Sequence, residues 1–496
     1  DRGELSLLSH MISTRKANVS FRLMMAESRE CCTMKTRLLF GIYIILFALV
    51  TLGFVIARNK TEGHDYYWTV RTHTLVTIEF LMLGGSIFLF TRLSNAFANI
   101  LFPHSRNENG SISIRPFGSR WRHICFTDIV RAGLFLFLVL AHLSFLFYYT
   151  WVSTEPNLLA LFSLYSVGLY LHLIVFVTLV EIWYHISRFA TSHKIGEFPL
   201  VSSLFSFATR RRDELTLAAF LCSIILVAGG MHTTLSDPVL NKVYVQSKHL
   251  SADAPPIKIA LLTDLHIGPS VGRKRIEKIV EVTNKVHPDI IAISGDLADG
   301  FLINLREAAQ PLCSLNAKYG VYFATGNHEY MHGNVEEWFN FLRSCNITVL
   351  HNENRHISVD SNTSLCMAGI DDLYTLRIHV PGHGMNPDKA LSGCRPGEVQ
   401  VLLAHQPNAA RKVLSSNLAE NLDLILSGHT HAGQMYMFAP IVWLANAYTR
   451  GLYYEPLSDT HVYVSAGVNF FGPPVKMFGT CEIIELLIVP YTGKAQ

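Results

Sequence analysis

Five long apolar runs occupy the first 235 residues of this 496-residue chain. In chain order they are residues 38–57, 74–90, 132–152, 158–183 and 215–235. A run of about 20 apolar residues is as long, when helical, as the hydrocarbon core of a bilayer is thick. Because a soluble domain could hardly bury five such helices so close together, the sequence predicts five membrane-spanning helices over residues 38–235.

The basic residues beside these runs predict the orientation of the chain. If residues 1–37 form a cytoplasmic N-terminal segment, the segments on that side hold 18 Lys and Arg, whereas the two opposite loops hold 3. Cytoplasmic loops of membrane proteins carry such an excess. An odd number of spans then places everything after residue 235 on the lumenal or extracellular side. The sequons at Asn346 and Asn362 fit that side, so we expect a multi-pass glycoprotein.

Other residues leave alternatives open. Glu79 and Glu181 lie within or near apolar runs and could mark a transport path, although Glu181 is close enough to the end of its run to be an anchor. Five cysteines follow residue 300, and an oxidising lumen would permit one or two disulfides without fixing their pairing. The net charge of +3 gives no basic surface for nucleic acid, so we expect no nucleic-acid partner.

The pattern changes after residue 235. Residues 236–256 are interpreted as a linker, and residues 257–490 as one domain in which short apolar runs alternate with helices. The clearest helix is an amphipathic one over residues 271–286. Alternation of this kind favours parallel strand pairing. We therefore expect a multi-span α-helical membrane region followed by an α/β domain, a four-layer sandwich of two packed β-sheets flanked by helices.

Polar side chains that can bind metal ions follow five of the short apolar runs in this domain. They are Asp264 and His266, Asp296 and Asp299, Asn327 and His328, His405, and His429 and His431. Because the site of an open α/β sheet forms outside the carboxyl ends of its strands, we expect these residues to lie close together. Asp264 and His266 would point to the same side of one strand and could share an ion. The carboxylate of Asp296 could bridge two ions about 3.5–4 Å apart.

The ligand set combines carboxylate oxygens, imidazole nitrogens and an amide oxygen, and it contains no thiolate. Such a set favours two divalent ions (Mn, Fe or Zn) in a hydrolytic centre over a structural zinc–thiolate site. Except for Gly-His-x-His, which is stronger, each motif alone is weak evidence: Asp459-Thr460-His461 repeats the Asp-x-His spacing with no apolar strand before it. Gly-Asn-His-Glu could be a turn. What favours a metal centre is the occurrence of all five motifs in order, each after an apolar run.

The pattern of motifs resembles that of the calcineurin-like metallophosphoesterase superfamily. In order along the chain, the motifs are D-x-H, G-D-x-x-D, G-N-H-E, H and G-H-x-H. The resemblance covers about residues 257–490, and residues 427–434 and 468–474 are similar to its bacterial membrane-linked branch. It implies two metal ions with one shared ligand. The first ion would be held by Asp264, His266, Asp296 and His431, and the second by Asp296, Asn327, His405 and His429.

The resemblance also implies a mechanism. A hydroxide that bridges the two ions, with Mn²⁺ as the first expectation, would attack phosphorus in line with the leaving group. His328 would stand beside the leaving oxygen as proton donor or charge stabiliser, and Asp299 would hydrogen-bond His328 and hold its ring. Phosphatase branches of the family add arginines near the phosphate. This chain has Arg273, Arg377 and Arg450, but no motif selects one of them. Whether the substrate is a phosphomonoester or a phosphodiester therefore stays open.

The leading interpretation is therefore a membrane-anchored, metal-dependent hydrolase of phosphoester bonds. Because five spans place the site near lipid, a lipid-linked phosphodiester is the natural substrate class, with membrane lipid as a second partner. Two other classes stay open. One is a catalytically silent metal-binding scaffold or receptor, which would need no proton donor at His328. The other is a transporter with an appended domain, which only Glu79 and Glu181 support.

Overall fold

The structure is a computed structural model that describes residues 41–61, 63–101, 117–150, 152–193, 199–331, 334–378 and 380–493. The predicted cytoplasmic segment 1–37 lies outside the described residues. The chain divides into two compact units, with the boundary between Ile87 and Phe88.

Among the described residues, five helices are long and apolar enough to cross a membrane. They are α1 (Gly41–Arg58), α2 (Gly63–Leu101), α3 (Phe117–Thr150), α4 (Leu158–Ser192) and α6 (Arg212–Leu235). Each contains one of the predicted apolar runs or most of it. A shorter helix, α5 (Pro199–Arg210), precedes α6 in a segment where the apolar pattern indicates only a loop.

The buried Glu181 of α4 is held by two arginines. Arg92 of α2 donates from Nε to Glu181 Oε1 at 2.6 Å, and Arg212 at the start of α6 donates to both carboxylate oxygens. Arg92 also reaches Asp213 Oδ1 at 2.7 Å. A charge in an apolar environment is tolerated when it is paired in this way. Glu181 therefore joins three helices, and these ion pairs account for an acidic residue inside an apolar helix.

The rest of the described chain is built on two six-stranded sheets. The first has the order β1 (Val239–Ser247), β12 (Glu482–Pro490), β2 (Ile257–Leu262), β3 (Ile290–Ser294), β4 (Val321–Ala324) and β5 (Ile347–Val349). The second has the order β10 (Gly451–Glu455), β11 (Thr460–Val464), β9 (Leu424–Ser427), β8 (Val399–Leu403), β7 (Ser364–Gly369) and β6 (Glu353–Ser358). Pairing is parallel from β2 to β5 and from β7 through β8 and β9 to β11.

Successive side chains of the buried strands point to different layers, as the two-residue repeat of a strand requires. Ala260 and Leu262 of β2 pack in the core shared with the helices α7 (Arg273–Lys285), α8 (Leu302–Ala309) and α10 (Val335–Ser344). Ile259 and Leu261 pack against the second sheet. The other face of the second sheet is covered by α11 (Pro387–Leu391) and α12 (Pro407–Leu414). The predicted α/β domain of two sheets with flanking helices is confirmed.

The segment 236–256, which the sequence predicts as a linker, contains the strand β1. It pairs in parallel with β12 from Val239 to Ser247, so the chain enters the sheet four residues after α6 ends. As an edge strand, β1 is exposed along much of its length. It therefore carries polar residues such as Asn241 and Lys242 and lacks the apolar run by which a buried strand is recognised.

Two disulfides resolve the pairing that the sequence left open. Cys313 is bonded to Cys345, and Cys366 to Cys394. Cys481 is a buried free thiol. Both disulfides lie in the two-sheet domain.

We predict that Glu181→Ala destabilises the membrane helices, because Arg92 keeps a buried charge and loses one of its carboxylate partners. The expected loss is on the order of 3 kcal/mol, seen as a melting temperature several degrees lower in detergent. Glu214→Ala is the matched control, since Glu214 pairs with Arg211 where both are exposed, and such pairs contribute little. Equal melting temperatures for the two variants would contradict a structural role for Glu181.

Candidate metal centre

All nine polar residues singled out in the sequence lie at the carboxyl ends of strands from both sheets. Asp264, His266, Asp296, Asp299, Asn327 and His328 follow β2, β3 and β4, whereas His405, His429 and His431 follow β8 and β9. Eight of them are buried, and His429 is half-buried. The two sheets therefore share one polar site at the edge where their parallel strands end. Asn327 and His328 begin the short helix α9 (Asn327–Met331).

Asp264, His266 and His431 converge on one point. Nε2 of His431 lies 3.1 Å from Nε2 of His266 and 3.4 Å from Oδ1 of Asp264. Nδ1 of His266 lies 2.7 Å from the Asp299 carboxylate, so a neutral ring keeps its proton there and its lone pair on Nε2. A buried carboxylate and two imidazole nitrogens that face one another fit a divalent cation, which would remove the repulsion between them.

A second group forms around Asp296. Oδ2 of Asp296 lies 3.1 Å from His405 Nε2, and Nδ1 of His429 lies 2.8 Å from Asn327 Oδ1. The same Asp296 oxygen lies 3.8 Å from Nε2 of His266, which belongs to the first group. Asp296 thus stands between the two groups, in the position that a carboxylate shared by two ions would occupy.

The backbone around these candidate ligands is strained. Five of the residues adopt left-handed φ angles of 46° to 70°: Asp264, His266, Asp296, His429 and His431. Such conformations in non-glycine residues concentrate at functional sites, where the surrounding fold maintains them. Two glycines permit the close packing. A Cβ at Gly326 would lie 2.2 Å from Asp296 Oδ1, and one at Gly428 would lie 2.4 Å from Asp264 Oδ2.

Asp299 joins His266 and His328. One carboxylate oxygen, Oδ1, lies 2.7 Å from Nδ1 of each ring. Burial opposes ionisation of Asp299, but the two histidines hold its pKa well below its usual range. Burial also disfavours a charged His328, but the carboxylates of Asp296 and Asp299 raise the pKa of His328 to about 9. The family resemblance implies the contact with His328; the contact with the candidate ligand His266 is additional.

Two further side chains of the site were not indicated by the sequence. Tyr148, near the end of α3, donates from its hydroxyl to Asp299 Oδ2 at 2.7 Å. The buried carboxylate of Glu329 accepts from three backbone N–H groups that follow β3 and β4, the shortest contact being 2.6 Å from Gly326 N. Glu329 could have been suspected, because it ends the Gly-Asn-His-Glu motif. Nothing in the pattern marks Tyr148, whose contact depends on how helix and sheet pack.

Two of the three arginines considered for phosphate binding have other contacts. Arg273 Nε lies 2.8 Å from Glu277 Oε1, and Arg450 Nη2 lies 2.7 Å from Glu482 Oε2. Arg377 is exposed after the turn Leu373–Leu376. These positions give no reason to assign any of the three to a phosphate.

Known proteins resemble this chain over most of its length. Residues 257–433 match the family described as calcineurin-like phosphoesterase. A Caenorhabditis elegans protein named as a metallophosphoesterase is 46% identical over 463 residues, which are 89% of this chain and 95% of that protein. The transmembrane protein with metallophosphoesterase domain of Danio rerio is 32% identical over 90% of this chain and 95% of its own length. The protein of the same name in Bos taurus is 35% identical over 71% of this chain and 79% of its own length.

We predict that Asp296→Asn loses bound metal, because both candidate ion positions lose a shared negative charge. Metal analysis of the purified variant should show less than half of the metal that the unaltered chain binds. Asp459→Asn is the matched control, since Asp459 also precedes a histidine by two residues but pairs with Lys248. Two equivalents of metal retained by Asp296→Asn would contradict the bridging position.

Proposed function

Because this chain belongs to the calcineurin-like phosphoesterase family, we propose that it is a membrane-anchored hydrolase of phosphoesters that works with two divalent ions, Mn²⁺ first among Mn, Fe and Zn. The observation that carries the proposal is the position of Asp296 between two groups of inward-facing imidazoles. Asp264, His266, Asp296 and His431 would hold one ion, and Asp296, Asn327, His405 and His429 the other. When bound, the ions would supply an activated water and neutralise charge on the phosphate.

His328 is the residue placed to move a proton. Its Nδ1 faces Asp299, and its Nε2 lies 3.9 Å from Asp296 Oδ2, on the side where the ions would be held. Asp299 fixes the ring, so the proton that His328 could deliver is the one on Nε2. The ring of Phe471 packs edge-to-face against the buried His328 at 4.9 Å between centroids. A catalytically silent scaffold would have no use for such a pair.

The catalytic domain is proposed to lie on the lumenal or extracellular side. Disulfides persist in oxidising compartments and are rare in the cytosol. The Cys313–Cys345 and Cys366–Cys394 bonds, together with the exposed positions of Asn346 and Asn362, support this side, as does the distribution of basic residues.

A lipid-linked phosphodiester is the proposed substrate class. The support is the direct contact between Tyr148, on the apolar helix α3, and Asp299 in the site. This contact places the candidate metal centre beside the end of a helix that can cross a membrane. A phosphate carried by a lipid would reach such a site without leaving the membrane surface.

We expect His328→Ala to keep both metal ions and to slow hydrolysis by roughly 10²–10⁴, the usual contribution of a general acid. The loss should shrink for a nitrophenyl ester, whose leaving group needs no proton. The measurement is kcat on an activated and an unactivated ester at saturating Mn²⁺. An equal loss on both esters would remove His328 from the acid role.

Asp299→Asn should behave differently, because Asp299 contacts a candidate ligand as well as His328. Its metal affinity should fall by roughly 10–100-fold, so its loss of activity should be partly restored by added Mn²⁺. A variant with normal metal affinity and the leaving-group dependence of His328→Ala would show that the His266 contact is unimportant.

We expect Asn346→Gln and Asn362→Gln each to abolish one glycosylation shift of the protein expressed in animal cells. In sealed microsomes the two-sheet domain should resist protease until detergent is added. Digestion without detergent would place the domain on the cytoplasmic side and contradict the orientation.

A further inference from the structure

An apolar rim of exposed side chains borders the candidate metal centre. It is formed by residues 436–444, which include the short helix α13 (Ala439–Ala445), and by residues 471–478. The rim consists of Tyr436, Ile441, Trp443, Leu444, Phe471 and Phe478, whose exposed fractions range from 44% to 77%. Helix α13 has no buried residue. A group of this kind beside a polar site marks an interaction surface.

Hydrogen bonds of Gln434 fix the rim to the site. Gln434 lies three residues after His431, and its side chain accepts from Phe471 N at 2.8 Å and donates to Phe471 O at 2.9 Å. The backbone carbonyl of Gln434 accepts from Met477 N at 2.7 Å. The segment 471–478 is thereby held against the loop that carries His429 and His431, and residues 436–444 continue directly from that loop.

The same two segments pack against the membrane helices. Val475 of one segment and the neighbouring Met435 form a buried apolar cluster with Val227 of α6, and Met437 and Phe438 of the other segment pack against this cluster. Lys476 N donates to Gly230 O at 3.3 Å, and a Cβ at Gly230 would lie 2.5 Å from Val475. Close approach at Gly168 of α4, where a Cβ would lie 3.1 Å from Val475, adds a second helix to this contact.

These contacts lie well inside the ends of the helices. At 1.5 Å per residue, Gly230 and Val227 are about 8 and 12 Å before the end of α6 at Leu235. Gly168 is about 15 Å after the start of α4 at Leu158. Because the whole of α6 is only about 36 Å long, against a hydrocarbon core of about 30 Å, these depths fall within the apolar layer. In a bilayer that α6 crosses, the packed segments would therefore reach below the membrane surface.

The charge of the rim is compatible with lipid. Residues 435–447 contain no charged side chain. The one charged residue among 470–478, Lys476, is fully buried, and its Nζ donates to the carbonyls of Ala466, Gly467 and Asn469. Its charge is therefore directed into the protein and away from the exposed phenylalanines.

We propose that this rim is immersed in the bilayer crossed by α4 and α6, with Trp443 and Tyr436 near the boundary between headgroups and acyl chains. Aromatic side chains favour that boundary, and apolar faces of surface helices lie about 5–10 Å into it. The candidate metal centre then opens at the depth of the lipid phosphates. The immersion is inferred from the packing alone. Its consequence, that the phosphoester substrate is taken from a lipid, rests on the proposed function.

Quenching of Trp443 fluorescence by brominated lipid tests the immersion. The full chain and Trp443→Phe are placed in phosphatidylcholine nanodiscs whose acyl chains are unlabelled, brominated near the headgroup or brominated near the chain end. The difference between the two proteins is the emission of Trp443. It should lose most of its intensity with bromine near the headgroup, less with bromine near the chain end, and little with aqueous iodide.

Leu457→Trp in the Trp443→Phe background is the matched control. Leu457 is 96% exposed and lies in the turn between β10 and β11. In the same turn, Asp459 pairs with Lys248, which directly follows β1. Because β1 leads away from α6 for about 27 Å, this turn lies far from the membrane helices. This residue should be quenched by iodide and unaffected by bromine.

A Trp443 emission that is equal in all three nanodiscs and quenched by iodide would overturn the immersion. The measurement needs no turnover, so it is separate from the proposed function. An immersed rim on a protein that hydrolyses no phosphoester would contradict the function alone.

Discussion

The carboxylate of Asp299 is the contact on which the site depends. It is a buried charge, and burying a carboxylate is tolerable only when it is fully paired. Its partners come from three parts of the chain: His266 after β2, His328 at the start of α9 and Tyr148 on α3. One ionised group therefore sets the tautomer of a candidate metal ligand, orients the candidate proton donor and fixes the end of an apolar helix.

The residues of the candidate site could be predicted because each motif is short and follows its own strand. The spacing of Asp264 and His266, or of His429 and His431, is local, and the strands bring the motifs together as any parallel sheet would. The two-sheet fold followed from the same alternation of strands and helices.

What the sequence could not indicate depends on packing between distant segments. Tyr148 lies near the end of an apolar run, as many interfacial tyrosines do, and only its placement shows that it reaches Asp299. The strand β1 was interpreted as a linker because an edge strand needs only one apolar face, and its polar residues hide it. Lys476 is an isolated charge in the apolar segment 470–478, and its role becomes visible only when its three carbonyl partners are known.

The segment that touches the membrane helices also supports the candidate metal ligands. Lys476 bonds to Gly230 of α6 through its backbone, and its side chain holds the loop 466–469. That loop in turn pairs with the strand end before Asp264: Val468 N donates to Thr263 O at 2.9 Å, and Asn469 N donates to Asp264 O at 3.3 Å. Helix packing and ligand geometry are thus linked through a few directly bonded residues. Because the contact with α6 supports a loop that lies behind a buried carboxylate, the two-sheet domain and the helices α3, α4 and α6 that contact it are best regarded as one structural unit.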